Sequence, residues 1–183
     1  MFSRRQTALS WKNKAGRTIW NVCRVALYRP TPAVFHGWRR FLLRCFGARV
    51  ADTARPYPRA RVWAPWNLVM GERSCIADEV DCYCVGRIEL GAGAIVSQYA
   101  YLCSASHDFR SADFGLVTAP IHVGAGAWVA ARAFVGPGVS IGSRAVVGAC
   151  SVVVRDVPAG AVVTGNPGRI VGWASRDDPP ETS

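Results

Sequence analysis

The chain has 183 residues, half of them hydrophobic and 19% charged, which suits one domain with a substantial core. No run of about 20 apolar residues exists to form a spanning helix, and the basic N-terminus lacks an apolar stretch followed by a small-residue cleavage site, so no signal peptide is read. The net charge of +10 is uneven: residues 1–61 carry fourteen Lys/Arg and one acid, Asp52, whereas residues 62–183 carry eight Lys/Arg and eleven acids, an asymmetry that bears on partners rather than on fold.

Residues 1–61 read as a basic, aromatic helical extension. "RTIWNVCRVALY" predicts a short helix, apolar around most of its surface except at Arg17 and Arg24. "RPTPAVFHGWRRFLLRCFG" restarts it, with Thr31 as N-cap and Pro32 at the first helical position. Phe35, Trp38, Leu42 and Cys45 fall on one stripe, Arg39, Arg40 and Arg44 lie off it, and Gly47 closes the helix. Two readings, not exclusive, fit such helices: peripheral contact with an anionic membrane surface, or a cap over the open end of the domain that follows, with solvated arginines. The segment shows no stacked aromatic platform or nucleic-acid-binding motif, so nucleic acid is not expected as a partner.

Residues 62–172 contain an internal repeat. Val123, Val129, Val135, Ile141, Val147 and Val153 are spaced by six, and four residues after each stands Ala127, Ala133, Val139, Ala145, Ser151 or Val157. Leu90, Val96 and Leu102 keep the same spacing; Met70, Ile76, Cys82 and Ile88 also step by six, two residues out of phase, a shift assigned to a bulge at "VGRIEL". A period of six fits neither a helix of 3.6 nor an ordinary strand of 2. It fits short strands with a turn every six residues, each coil burying its aliphatics against the next, as in a solenoid.

The beat stops after Leu102 and resumes near Pro120. The interruption, residues 108–120, is a loop extruded from a rigid scaffold, the kind of place where binding and catalysis concentrate. His107 stands at its root, and an imidazole is the side chain that exchanges a proton near neutral pH. His36 lies in the basic helix, and His122 sits mid-repeat, facing outward. Seven cysteines, an odd number with no CxxC pair, argue against a disulfide framework and a zinc site and for buried thiols in a reducing cytoplasm. Residues 173–183, ending "SRDDPPETS", read as a flexible tail.

The six-residue repeat resembles that of the hexapeptide-repeat acyltransferase family. With "APWNLVMGE", "YLCSASHDF", "VVGACSVVVRDVPAGAVVTGNP" and "HGWRRFLLRCFGA", the chain is most similar to the colanic-acid-type polysaccharide O-acetyltransferases, from about residue 17 to 172. The resemblance implies a mainly β fold, a left-handed parallel β-helix, working as a homotrimer with its active site between subunits, in the cytoplasm. It implies acetyl-CoA as cosubstrate, no metal, and a sugar or lipid-linked oligosaccharide acceptor at the inner face of the membrane. His107 becomes the general base, and Asp108 a candidate to orient its ring. The pantetheine arm would run along backbone near Ala131 and Ala149. Val154 stands where the family has a threonine, Arg155 where it has a lysine, and Arg169 matches a basic residue near the nucleotide phosphates, while Gly172 replaces a second one. Tyr83–Cys84 replaces the family's "YN" pair on the acceptor side, and Trp128 matches an aromatic that walls the cleft or lies at the trimer seam. The competing readings are a non-catalytic β-helix scaffold, an O-acetyltransferase for another small hydroxyl acceptor, and a γ-type carbonic anhydrase. That last enzyme needs three zinc-binding histidines, and only His107 and His122 lie in the repeat. Serine acetyltransferase has a long N-terminal helical domain with no match here.

Overall fold

The computed structural model describes residues 11–174. From Arg49 the chain winds as a parallel β-solenoid. Its first coil is β1 (Arg49–Val50), β2 (Arg55–Pro56) and β3 (Arg61–Val62); its second is β4 (Leu68–Met70), β5 (Cys75–Ile76) and β6 (Asp81–Tyr83); its third is β7 (Ile88–Leu90), β8 (Ile95–Val96) and β9 (Tyr101–Cys103). A two-stranded arm, β10 (Ala105–His107) and β11 (Leu116–Thr118), then leaves the coil. Winding resumes with β12 (Ile121–Val123), β13 (Trp128–Val129) and β14 (Phe134–Val135), and continues with β15 (Ser140–Ile141), β16 (Val146–Val147) and β17 (Val152–Val153). The last strands, β18 (Ala161–Thr164) and the antiparallel β19 (Arg169–Trp173), close the second face.

The three faces are the sheets β1-β4-β7-β12-β15, β19-β18-β16-β13-β8-β5-β2 and β17-β14-β9-β6-β3. The beat aliphatics all point inward: Val129, Val135 and Val147 are fully buried, and Val123, Ile141 and Val153 nearly so. Ala127, Ala133 and Ala145, at the fifth place, are also fully buried, and Val139 and Val157 are nearly so at the same place.

The solenoid therefore starts at residue 49, thirteen residues before the expected boundary at 62. Val50, Pro56 and Val62 keep the six-residue beat and are buried, while Arg49, Arg55 and Arg61 keep it on the outside. The arginines masked the pattern. The expected bulge at "VGRIEL" is also absent. Ile88 and Leu90 both point inward from β7, with Glu89 between them, and β7 pairs in register with both β4 and β12. Two inward positions on one strand account for the shift. Extra residues sit instead at the corner between the third and first faces, at 63–67, 84–87 and 104–120.

Gly71, Gly91, Gly124 and Gly142 stack after the inward residue of the first face. Close approach, not backbone conformation, requires them: a Cβ on Gly142 would lie 2.3 Å from Ala159 N, and one on Gly124 would lie 2.5 Å from Ser143 N. Gly142→Ala is expected to lower stability by about 2–3 kcal/mol in chemical denaturation, as overpacking does. Gly172→Ala, with nothing within 4 Å of the added carbon, is expected to leave it unchanged.

Two helices plug the first coil. α1 (Trp11–Cys23) runs into a π-helical segment, Arg24–Tyr28, and α2 (His36–Cys45) follows. Trp20, Tyr28, Leu42 and Leu43 are buried, and the Trp20 indole donates to Val62 O at 2.7 Å. Trp20 and Tyr28 are eight residues apart, about 2.2 turns, and a plain α-helix would leave them about 80° out of phase. The wider π turn uses more residues per turn and absorbs the excess, so the two rings meet edge to face at 5.8 Å.

The second helix differs from expectation at its start and on its face. It begins at His36 after Phe35, not at Pro32. The Thr31 hydroxyl instead donates to Tyr28 O (2.7 Å) and accepts from Arg39 (2.8 Å). The buried face is Arg39, Leu42 and Leu43, while Phe35, Trp38 and Cys45 are exposed. Arg39 is fully buried because backbone oxygens surround it: Nε donates to Pro56 O at 2.7 Å, Nη1 to Pro32 O at 2.8 Å, and Nη2 to Ala33 O. Gly47, at φ +85, ends the helix as expected, its N–H bonded to Arg44 O at 2.9 Å. Cys82, Cys84 and Cys103 are buried, but Cys45 and Cys150 are exposed, and all seven thiols are free. Trp173 belongs to β19 rather than to the tail; residues 175–183 of that tail lie outside the described residues.

Candidate functional site

The interruption at 108–120 is rooted in an antiparallel arm, with Ala105 opposite Thr118, Ser106 opposite Val117 and His107 opposite Leu116. Ser104, fully buried, anchors it: its hydroxyl donates to Tyr83 O at 2.8 Å and accepts from Gly86 N at 2.9 Å, and its carbonyl accepts from Ala119 N. Both strands of the arm thus leave a corner clamped to the coil before it.

His107 is exposed at the end of β10, and its Nδ1 lies 2.8 Å from Phe114 O. A carbonyl oxygen only accepts, so Nδ1 carries the proton and Nε2 bears the lone pair. The imidazole also stacks on the Phe114 ring, with centroids 4.7 Å apart and planes 9° from parallel. Phe114 takes φ +44, a left-handed conformation that costs a bulky residue about 1–3 kcal/mol. That conformation puts both its carbonyl and its ring on His107. Sequence gave no signal for Phe114 or Ser104, because neither role follows from residue type or spacing. Asp108 does not hold the imidazole: its carboxylate accepts from Arg110 N at 3.2 Å, since adjacent residues of an extended chain point apart. A cleft of about 290 Å³ opens here, lined by Ser106, His107, Asp108, Phe109, Arg110 and Val117.

A second cleft, of about 370 Å³, brings Val154, Arg155 and Arg169 together with Pro167 and Ile170. Arg169 Nη1 donates to Gly168 O at 3.1 Å. Ala131 and Ala149 stack in neighbouring coils, between the second and third faces. Neither of their N–H groups donates a hydrogen bond within the described residues, and Ala131 O accepts from Cys150 N at 3.0 Å. The two amides form a short row of open donors.

The acceptor-side candidates scatter. Trp128 is exposed on the second face, its indole donating to Ser97 Oγ at 2.9 Å. Tyr83 lies on the third face in an aromatic ladder, 5.4 Å from Trp63 and 6.3 Å from Tyr101, which in turn lies 5.5 Å from Phe134. Burial and Cys103 push the Tyr101 phenol well above its ordinary range, so that ring stays neutral. Cys84, expected on the acceptor side, is instead fully buried, its Sγ 3.2 Å from both the N and the O of Ala64. It ties the first corner to the second and offers nothing to solvent. His122 faces outward, 3.1 Å from Glu89. Among the described residues no three His, Cys, Asp or Glu side chains gather as a metal site.

Residues 120–155 match the family described as bacterial transferase hexapeptide (six repeats). The chain is 38% identical, over 84% of its own length and 84% of the relative's, to a putative colanic acid biosynthesis acetyltransferase of Escherichia coli. Its fold is similar to that of a maltose O-acetyltransferase from Clostridium difficile (TM-score 0.81, 23% identity, covering 90% of this chain and 89% of that one). It is also similar to a galactoside acetyltransferase solved with coenzyme A (TM-score 0.77, 20% identity, 92% and 85% covered). With the coil, the arm and this identity in agreement, the chain belongs to the hexapeptide-repeat acetyltransferases.

Proposed function

We propose that this protein transfers the acetyl group of acetyl-CoA to a sugar hydroxyl during extracellular polysaccharide assembly, with His107 as general base. The observation that carries this reading is the Phe114 carbonyl on His107 Nδ1, which leaves Nε2 as the acceptor on an exposed side chain. A hydroxyl is a poor nucleophile until its proton leaves. Nε2 takes that proton as the oxygen attacks the thioester carbonyl. The tetrahedral oxyanion collapses, the C–S bond breaks, and the imidazolium returns the proton to the departing sulfur. The products are an O-acetyl sugar and CoA, with no covalent acyl-enzyme.

The open amides of Ala131 and Ala149 suit an extended pantetheine arm, and Arg155 and Arg169 suit the phosphates beyond it; Val154 and Gly172 supply no polar side chain. Within one chain Arg155 and Arg169 line one cleft and His107 another, and Ala131 and Ala149 line neither. A homotrimer resolves this by setting the arm of one subunit against the coils of the next, with Trp128 and Tyr83 on the faces available to line the seam. The acceptor is a sugar, presented as a lipid-linked oligosaccharide, on the cytoplasmic side where acetyl-CoA is made. Arg169→Glu is expected to weaken CoA binding about tenfold by titration calorimetry, the worth of one charge-assisted phosphate contact. No heat from the unaltered protein would favour a non-catalytic scaffold instead.

A further inference from the structure

The outer side of the helical cap has no partner within the described chain. α1 turns Trp20 to the core and leaves Trp11, Ile19 and Val22 exposed. On α2 the Trp38 indole donates to Leu27 O at 2.9 Å and its ring lies 5.6 Å from that of Phe41, so α2 and the π-helical segment share one apolar patch. Trp38 and Phe41 are 42% and 53% exposed. Single exposed apolar residues are ordinary, but a continuous aromatic patch marks an interaction surface.

Charge identifies the occupant. Residues 1–51 contain eleven Lys/Arg and no acid, and Lys12, Lys14 and Arg29 are exposed beside the apolar residues. Three of the nine acids between residues 49 and 174 already face the solenoid's own basic groups: Glu79 with Arg59, Asp81 with Arg61, and Glu89 with Arg87. A second copy is itself net positive, at +10, whereas anionic headgroups offer complementary charge continuously.

We infer that the outer face of the cap docks on an anionic phospholipid bilayer. Trp38 and Phe41 enter the boundary between headgroups and acyl chains, where aromatic rings are favoured, and the lysines and arginines lie over the phosphates. No helix among the described residues is long and apolar enough to cross a membrane, so the contact is peripheral. The cap closes the first coil and the His107 arm leaves after the third. Coils are spaced by about 4.8 Å and a helix layer adds about 10 Å, which holds the arm roughly 20 Å from the bilayer. The inference is independent of the role proposed for His107, because its test reads binding and not turnover.

Full-length protein is mixed with vesicles of phosphatidylcholine, alone or with phosphatidylglycerol, and the bound fraction is read by sedimentation at low and high salt. Binding is expected only with phosphatidylglycerol, and is expected to fall as salt screens the attraction. Trp38→Ser/Phe41→Ser and Lys12→Glu/Lys14→Glu are each expected to bind at least about tenfold more weakly. Circular dichroism and CoA affinity should match the unaltered protein. Absence of binding by the unaltered protein, or equal binding by both variants, overturns the inference. A smaller oligomer in Trp38→Ser/Phe41→Ser by light scattering, without vesicle binding by the parent, would overturn it in favour of contact between copies.

Discussion

Replacing His107 by alanine is expected to lower acetyl transfer by about 10²–10⁴-fold, the range a positioned general base contributes, while CoA affinity and oligomer mass stay unchanged. The separation follows from position. His107 is exposed at the end of the arm, where its ring hydrogen-bonds the Phe114 carbonyl and stacks on the Phe114 ring. The arm is instead held by Ser104 and the β10–β11 pairing, which the substitution leaves intact. His107→Asn sharpens the test: an amide can donate to the Phe114 carbonyl yet cannot take a proton near neutral pH, so it should be as inactive as alanine. Acetyl release from acetyl-CoA in the presence of a sugar acceptor is the measurement. Turnover retained by either variant would remove His107 from the chemistry.

Arg39→Met is expected to cost about 3–5 kcal/mol of folding stability, at the high end for a single substitution. The guanidinium is fully buried and donates to Pro56, Pro32 and Ala33 oxygens and to the Thr31 hydroxyl. These groups lie on the first coil and on the segment between the two helices, so Arg39 ties the cap to the solenoid. Methionine fills much of the same volume but removes all four of these bonds, leaving Pro56 O with His36 Nδ1 and Pro32 O with Phe35 N as their remaining partners. Arg39→Lys should recover little, because one ammonium cannot match the spread of a guanidinium fork. A urea titration followed by circular dichroism would show it. A loss under about 1 kcal/mol would mean that water or backbone movement replaces these bonds.

The six-residue beat was legible because each turn of a solenoid sets an inward aliphatic at the same point of every strand. From Val123 to Val153 it located every strand of the fourth and fifth coils. The first coil was hidden, since Arg49, Arg55 and Arg61 share its beat from the outside and made residues 49–61 look like part of a charged extension. Arg39 was misplaced for a related reason: helical periodicity ranks side chains by polarity, and only the carbonyls of the neighbouring loop make a buried arginine tolerable. The stacked glycines were visible as residues, but their cause was not, because a 2.3 Å approach to Ala159 N arises only when one coil lies on the next.

The candidate site divides the same way. The break in the beat after Leu102 and the histidine at its edge could be read from residue order alone, since a perfect repeat has no place for a cleft. By itself the amino-acid order determined a coil of short strands, a loop leaving it, and His107 at the edge of that break. Tertiary structure decided which nitrogen of His107 is free, that Asp108 turns away, that Cys84 is sealed in a corner, and that the helices close the first coil. Those outcomes depend on partners far apart in the chain or on backbone geometry within the arm, and contacts of that kind leave no period in a sequence.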